Sequence, residues 1–391
     1  MKYNKIKILE WMFQKFGPEY IEFINKQCCD GSEGYQASKN GHIEILKYVI
    51  SKGYKWTYKI CLGAVCGGHF EILKWAFGNK YFYGGDIAEQ AVLNNNYEIL
   101  KWLYTNTYSV SENICVTAAE ANNFEILKWA YSIFPHTNKL INALSSEKAA
   151  RNGNIEMLKW LHENKNGIVS KKVFACAAEG GHIHILEWLN SLACPMDEEA
   201  CSNAAKEGHL ETLKWLRKHG CPWDDNTCGF AAQGGHFEIL KWAHETGCYW
   251  SSTTMYHAVS CGNSEMIKYV IKEGCQLHDR ICLDLVKWNN TELVELVMSK
   301  GYKLCPYFCA YAARHGHFEL IKWAQSVDCP WDINTCRYAD DAERYDILLW
   351  VIEKGCPTIQ TYITSIINNT QKSEYQYIQF PKCVQYDKLI M

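Results

Sequence analysis

At 391 residues, with 48% apolar and 21% charged side chains, the chain has the makeup of a folded protein and not of a disordered one. Forty Lys and Arg against 43 Asp and Glu leave a formal charge of −3, so no bulk basic field points to nucleic acid or anionic lipid. No apolar run approaches the ~18 residues of a membrane span, and the opening MKYNKIKILEW lacks the features of a signal peptide. The expected setting is intracellular and cytoplasmic, with the 20 cysteines held as thiols.

Taken in chain order, the elements repeat. The segment ending at Trp242 reads GGHFEILKW, and close copies end at Trp75, Trp129, Trp188, Trp215 and Trp323. With that position as anchor, the anchors are Trp11, Tyr48, Trp75, Trp102, Trp129, Trp160, Trp188, Trp215, Trp242, Tyr269, Leu296, Trp323 and Trp350. Nine of the twelve steps are 27 residues, which marks a solenoid. The longer steps place insertions of about ten residues around 16–31 and about four around 134–138.

One unit shows the physical logic. After Trp223, the turn formers Asp224 to Asn226 predict a first helix starting near Thr227. Its Cys228, Ala231 and Ala232 are small and at helical spacing, so neighbouring helices can approach closely. Gly234 and Gly235 break it. A second helix follows from about Phe237 to His244, with Ile239, Leu240 and Trp242 inward, Glu238 and Lys241 paired outside, and Gly247 as terminator. Neither helix reaches the ~12–15 residues of a self-sufficient one, so stacking must bury the apolar faces. At the ends, residues 6–13 predict a lone second-type helix and 358–368 a lone first-type helix, both suited to capping the stack. Residues 371–391 show no periodicity. The expected organisation is a cap and insertion over 1–31, repeats over 32–356, and a cap and tail over 357–391.

The unit resembles an ankyrin repeat. Cys228 stands at the leucine of the TPLHxA motif, Ala231 and Ala232 at its alanines, Gly235 and His236 at its turn, and Gly247 at its terminal glycine. At 27 residues it is six shorter than the ankyrin period of 33. The missing residues are those that build the β-hairpin finger, and the Thr-Pro pair is replaced by Asn226-Thr227. The GCPWD loop before a GHxExLKWL-type helix is similar to short arrays of giant DNA viruses and some protists. The resemblance implies an all-α, elongated ankyrin-like solenoid of about twelve helix-turn-helix repeats, on the order of 100 Å long at ~8–10 Å per stacked helix. It also implies a protein-binding role, in a virus one directed at host proteins in the host cytoplasm.

Chemistry-bearing residues follow the same registers. Cysteines recur six after and fourteen before an anchor, with C-x6-C spacing such as Cys221 to Cys228 and no separated CxxC pair. Buried structural thiols are expected, and no metal. The histidines six before an anchor (His42, His69, His182, His209, His236, His317) exchange with Asn96, Asn123, Asn154, Asn263 and Asn290. That exchange predicts an N-cap at the start of the second helix, and a cost within about 1 kcal/mol for His236→Asn. The tryptophans at the anchors, and at Trp56, Trp223, Trp250 and Trp331 eight residues after one, read as core.

Nine before the anchor the residues vary: Lys39, Cys66, Leu93, Glu120, Arg151, Glu179, Lys206, Gln233, Ser260, Lys287, Arg314 and Asp341. A variable position inside a fixed framework suits a partner-reading edge beside the concave face, and equally a solvated face. The candidate contacts are Glu179, Lys206, Gln233, Lys287, Trp288, Arg314 and His315. Trp288 reads either as a contact or as filler for a repeat whose anchor is Leu296. No phosphate-binding loop, GxSxG, HExxH or kinase signature occurs, so neither catalysis, a cofactor nor a small-molecule substrate is expected. The function read here is a non-catalytic protein-binding scaffold. The alternatives are a ubiquitin-ligase adaptor, which would need an F-box-like module, and a thiol-rich metal or redox protein.

Overall fold

Two short helices per period, one lined with small residues and one with branched apolar residues, can be buried only by neighbours of the same kind. A computed structural model describes residues 32–81, 86–106, 110–165, 169–277 and 281–358. The expected terminal helices at 6–13 and 358–368 and the tail 371–391 lie outside these residues, Thr358 excepted. Among the described residues there are 24 helices and no strand. The chain divides into two units, 1–200 and 201–391, the division falling within the helix Glu198–Lys206.

In the first unit, first-type helices such as Tyr58–Cys66, Ile87–Leu93, Ile114–Glu120 and Lys171–Glu179 pack on one another and on their own second helices. Those second helices include Phe70–Gly78, Tyr97–Thr105, Phe124–Ile133 and Ile183–Ser191. The second unit repeats the arrangement with first helices Asp225–Gln233, Ser252–Cys261, Pro306–His315 and Ile333–Asp341. Small residues let the first helices close up: Ala118, Ala119, Ala231, Ala232, Ala312 and Ala313 are wholly buried. A Cβ added to Gly67 would stand 2.2 Å from the Lys39 carbonyl oxygen of the preceding repeat. The turn between the helices puts its residue seven before the anchor in the left-handed region throughout, whether glycine as at Gly235 or Asn95, Asn122, Asn289 and Glu343.

Three readings are corrected by the helices. The four extra residues placed around 134–138 lie instead in the first helix, Lys139–Arg151, which has 13 residues against nine in Lys171–Glu179. The helix expected from Thr227 starts at Asp225, because the Asp224 carboxylate already accepts from the Asn226 N–H at 3.1 Å. Glu–Lys pairs close on the second helices at Glu71–Lys74, Glu98–Lys101, Glu211–Lys214 and Glu319–Lys322, but not at Glu238–Lys241.

The anchor tryptophans are half-buried, not core. Five of them, Trp102, Trp129, Trp160, Trp188 and Trp350, meet aromatic rings on the preceding second helix, whereas Trp75, Trp215, Trp242 and Trp323 meet rings of their own repeat. Trp102 lies edge-on to Phe70 and Phe77 at 5.3 and 5.4 Å, and Trp129 to Tyr97 and Tyr104 at 5.8 and 5.6 Å. Lys74 and Lys101 cover the outer faces of Phe70 and Tyr97. At those five repeats the second helices are joined by an aromatic clasp, while the first helices touch through alanine and glycine. Bulk is what the anchor position needs, and Tyr269 supplies it against Phe237 at 5.5 Å.

The cysteines are free thiols, and fourteen of the 17 described are buried. Their partners differ from the C-x6-C neighbours of the sequence. The thiol six after an anchor bonds back to the carbonyl of the first helix's N-cap: Cys248 to Asp224, Cys275 to Ser251 and Cys356 to Asp332, at 3.2 to 3.4 Å. It also meets the thiol fourteen before the same anchor, as Cys329 meets Cys309 at 3.6 Å. Cysteine is small enough for the gap and still carries a donor.

Candidate binding face

The C-terminal end of each first helix leaves carbonyls without helical partners, and the following repeat supplies donors to them. The Nε2 of His69 lies 3.0 Å from the Lys39 carbonyl oxygen, and that of His182 lies 3.0 Å from the Arg151 carbonyl oxygen. Neither ring caps its own helix, nor do His209, His236 and His317, so the N-cap reading of these histidines is corrected, and His69 and His182 are struts between repeats. Asparagine divides the two roles. Asn123, Asn154 and Asn263 accept from Ile126, Met157 and Met266 as true N-caps. In the repeat of Asn154 the strut passes to Asn152, whose amide donates to the Ala119 and Glu120 carbonyls at 2.9 and 3.0 Å.

Trp288 belongs to this series. Its repeat carries the N-cap Asn290, so no histidine reaches back. Instead the indole Nε1 donates to the Val259 carbonyl at 2.6 Å. The ring lies on Gly262 as the His236 ring lies on Gly208. The ring thus acts as a strut between repeats, reaching Val259 and Gly262 of the preceding one.

The exposed ends of the first helices differ between the units. In the first unit they are tied by ion pairs between successive repeats: Lys148 to Glu120 at 2.8 Å, Arg151 to Glu179 at 2.6 Å and Lys172 to Glu199 at 3.4 Å. Burial beside this network holds the Glu147 carboxyl above its usual range, against the pull of Lys172 and Arg151. In the second unit Arg337 pairs with Asp341 at 3.7 Å, but two other cations rest on aromatic rings. Lys287 lies over Trp288 at 4.8 Å and Arg314 over Tyr338 at 5.8 Å. Tyr338 in turn meets Tyr311 edge-on at 5.8 Å.

Of the candidate contacts, Glu179 is half-buried and engaged with Arg151. Lys206 and Gln233 are exposed, Lys206 lying 4.0 Å from Glu207. Lys287, Arg314 and His315 are exposed, and the His315 ring stacks on His317 at 5.7 Å. Register reading missed tyrosines on the first helices of the second unit. Tyr256 and Tyr307 are 58% and 48% exposed, and Tyr311 and Tyr338 are half-buried beside Arg314. Their signal was available as aromatic residues twelve, thirteen and sixteen before an anchor, registers where the first unit carries Tyr35 beside polar residues such as Gln90, Glu147 and Lys172.

Among the described residues, no group of three or more His, Cys, Asp or Glu side chains converges to hold a metal ion, and no helix is long and apolar enough to cross a membrane.

The family model for ankyrin repeats in three copies matches residues 201–281, a span holding the anchors Trp215, Trp242 and Tyr269. The same registers continue on either side of it. Curated proteins give no significant match to the chain. Among solved structures, the ankyrin repeat domain of human ASB11 is similar over 41% of this chain and 84% of that one, with 16% identity and a TM-score of 0.32.

Proposed function

We propose that the chain is a non-catalytic scaffold that binds partner proteins through the face carried by its first helices and the loop edge beside it. The observation that supports this most directly is the contrast within one register. The residues that build the stack keep their type from repeat to repeat, whereas the position nine before the anchor runs through Lys, Cys, Leu, Glu, Arg, Gln, Ser and Asp. A rigid framework that presents variable side chains binds with little ordering cost. The match of residues 201–281 to ankyrin repeats, whose common role is protein binding, favours the same reading. The mixed charge favours a protein partner over nucleic acid or a lipid surface. An intracellular site of action, in the host cytoplasm if the chain is viral, is part of the proposal and rests on the many free thiols.

The test is crosslinked capture from native-source lysate with two variants whose folding is checked by circular dichroism. One carries Tyr256→Ser, Tyr307→Ser and Tyr311→Ser on the first helices. The other carries Lys74→Glu and Lys322→Glu on the second helices. A partner lost by the first variant and kept by the second is the expected result. The reverse pattern moves binding to the second-helix face and overturns the proposal.

A further inference from the structure

Where an anchor ring meets the preceding second helix, it meets the residues five before and two after that helix's own anchor. Trp102 meets Phe70 and Phe77, Trp129 meets Tyr97 and Tyr104, and Tyr269 meets Phe237 and His244. Leu73, Leu100 and Leu240, two before their anchors, have no exposed surface. On the helix Tyr345–Glu353 these three registers are held by Tyr345, Ile352 and Leu348. Ile352 is 36% exposed and Leu348 is half-buried. Leu349, one before the anchor, is 60% exposed and stands where every other repeat carries Lys or Glu. Positions 345, 348, 349 and 352 fall on one side of a helix. This helix therefore buries one apolar face in its own repeat, through Ile347 and Val351, and presents a second.

We propose that residues 359–380 of the same chain cover this second face as one more helix pair, with Tyr377 as its anchor. Continuity of register selects this occupant. Tyr377 stands 27 residues after Trp350, and a tyrosine already serves as anchor at Tyr269. Asn369 falls at the turn between the two helices, in the register of Asn94 and Asn152. Pro381 follows the second helix, which it cannot continue. Residues 371–391 show no period of their own because they hold part of a single unit. The expected cap at 358–368 thus gains a second helix, and its anchor ring closes on the helix Tyr345–Glu353 as Trp102 closes on Phe70 and Phe77. Leu349 supports the same occupant. A terminal face left to water carries polar side chains, and elsewhere the residue at this register is a lysine lying over the outer ring, as Lys74 over Phe70 and Lys322 over Phe318. Leucine there suits a covered face.

Hydrogen exchange of the full chain, read by mass spectrometry, tests this with wild type, Tyr377→Asp and Tyr377→Trp. Amides of the helix Tyr345–Glu353 should exchange about tenfold faster or more in Tyr377→Asp, while those of Phe237–Glu245 stay as in wild type. Tyr377→Trp should keep the wild-type rate, because the anchor needs bulk. Equal rates in all three proteins overturn the proposal, and so does exchange in Tyr377→Trp as fast as in Tyr377→Asp. A photo-crosslinking benzoylphenylalanine in place of Leu349 identifies the occupant directly. The expected product is a single chain joined to a peptide within 370–380. A crosslinked dimer assigns the face to a second copy, and a chain joined to nothing assigns it to solvent; either result overturns the proposal.

Discussion

The indole of Trp288 donates to the carbonyl of Val259 across the boundary between two repeats, at 2.6 Å. A single tryptophan therefore does what a histidine two positions later does elsewhere. His69 and His182 reach back to Lys39 and Arg151, and the Trp288 ring covers Gly262 as His236 covers Gly208. The donor and the ring matter more than the residue that brings them.

Exchanging the two solutions should therefore work only as a pair. Trp288→Gly removes a half-buried ring and its hydrogen bond, and should cost about 2–3 kcal/mol in chemical denaturation. Adding Asn290→His recreates the Gly-x-His pattern of Gly234 to His236 and should recover at least half of that loss. No recovery would mean that the Trp288 strut is not equivalent to the histidine one.

At the histidines themselves the strut predicts which replacements are tolerated. His69→Phe keeps the ring and loses the donor to the Lys39 carbonyl, and should cost about 1 kcal/mol. His69→Asn keeps a donor of the kind Asn96 directs at Val65, and should cost less. A larger loss for Asn than for Phe would favour ring packing over the hydrogen bond.

The aromatic clasp should appear as coupling between repeats. A double-mutant cycle on Phe70→Leu and Trp102→Leu, 5.3 Å apart edge-on, is expected to give about 0.5–1.5 kcal/mol. Additive losses would assign both rings to simple area burial.

The thiols should divide by exposure. Burial pushes Cys194, Cys275 and Cys282 up to about 11, so few thiolates form there near neutral pH. In folded protein near pH 8, iodoacetamide should label the half-exposed Cys66, Cys261 and Cys305 well before the fourteen buried thiols. Peptide-resolved mass spectrometry reads the order. Early labelling of Cys228 or Cys309 would contradict the packing around them.

Acidification should loosen the second unit. Burial holds His257 below its ordinary value of 6.5, and burial together with the neighbouring His315 does the same for His317. The unfolded chain then binds more protons than the folded one as pH falls through 6.5, so stability drops from that point until the folded rings titrate too. His257→Gln and His317→Gln should each flatten the fall in melting temperature between pH 7 and 5. An unchanged slope in both would place the acid sensitivity elsewhere.

The stack was legible in the sequence because its determinants are local and periodic. The anchor recurs every 27 residues, small residues recur at Ala231 and Ala232, and a left-handed turn recurs at Gly235. Each follows from helix period and backbone sterics, and twelve copies average out the noise of any one. The candidate face was legible only as a variable register. Which members of it are free depends on what the neighbouring repeat presents. Glu179 and Lys287 share a register, yet one is bound to Arg151 and the other lies over the Trp288 ring.

The sequence by itself determined the helix pairs, their period, the turn conformations and the burial of most cysteines, since these depend on residues close along the chain. The tertiary structure alone decided which distant side chains meet: histidines as struts and not caps, tryptophans as clasps and not core, and thiols meeting across one repeat. Those contacts join residues 20 to 32 positions apart. At that distance a helical or strand periodicity carries no information about which side chains meet, and only packing fixes it.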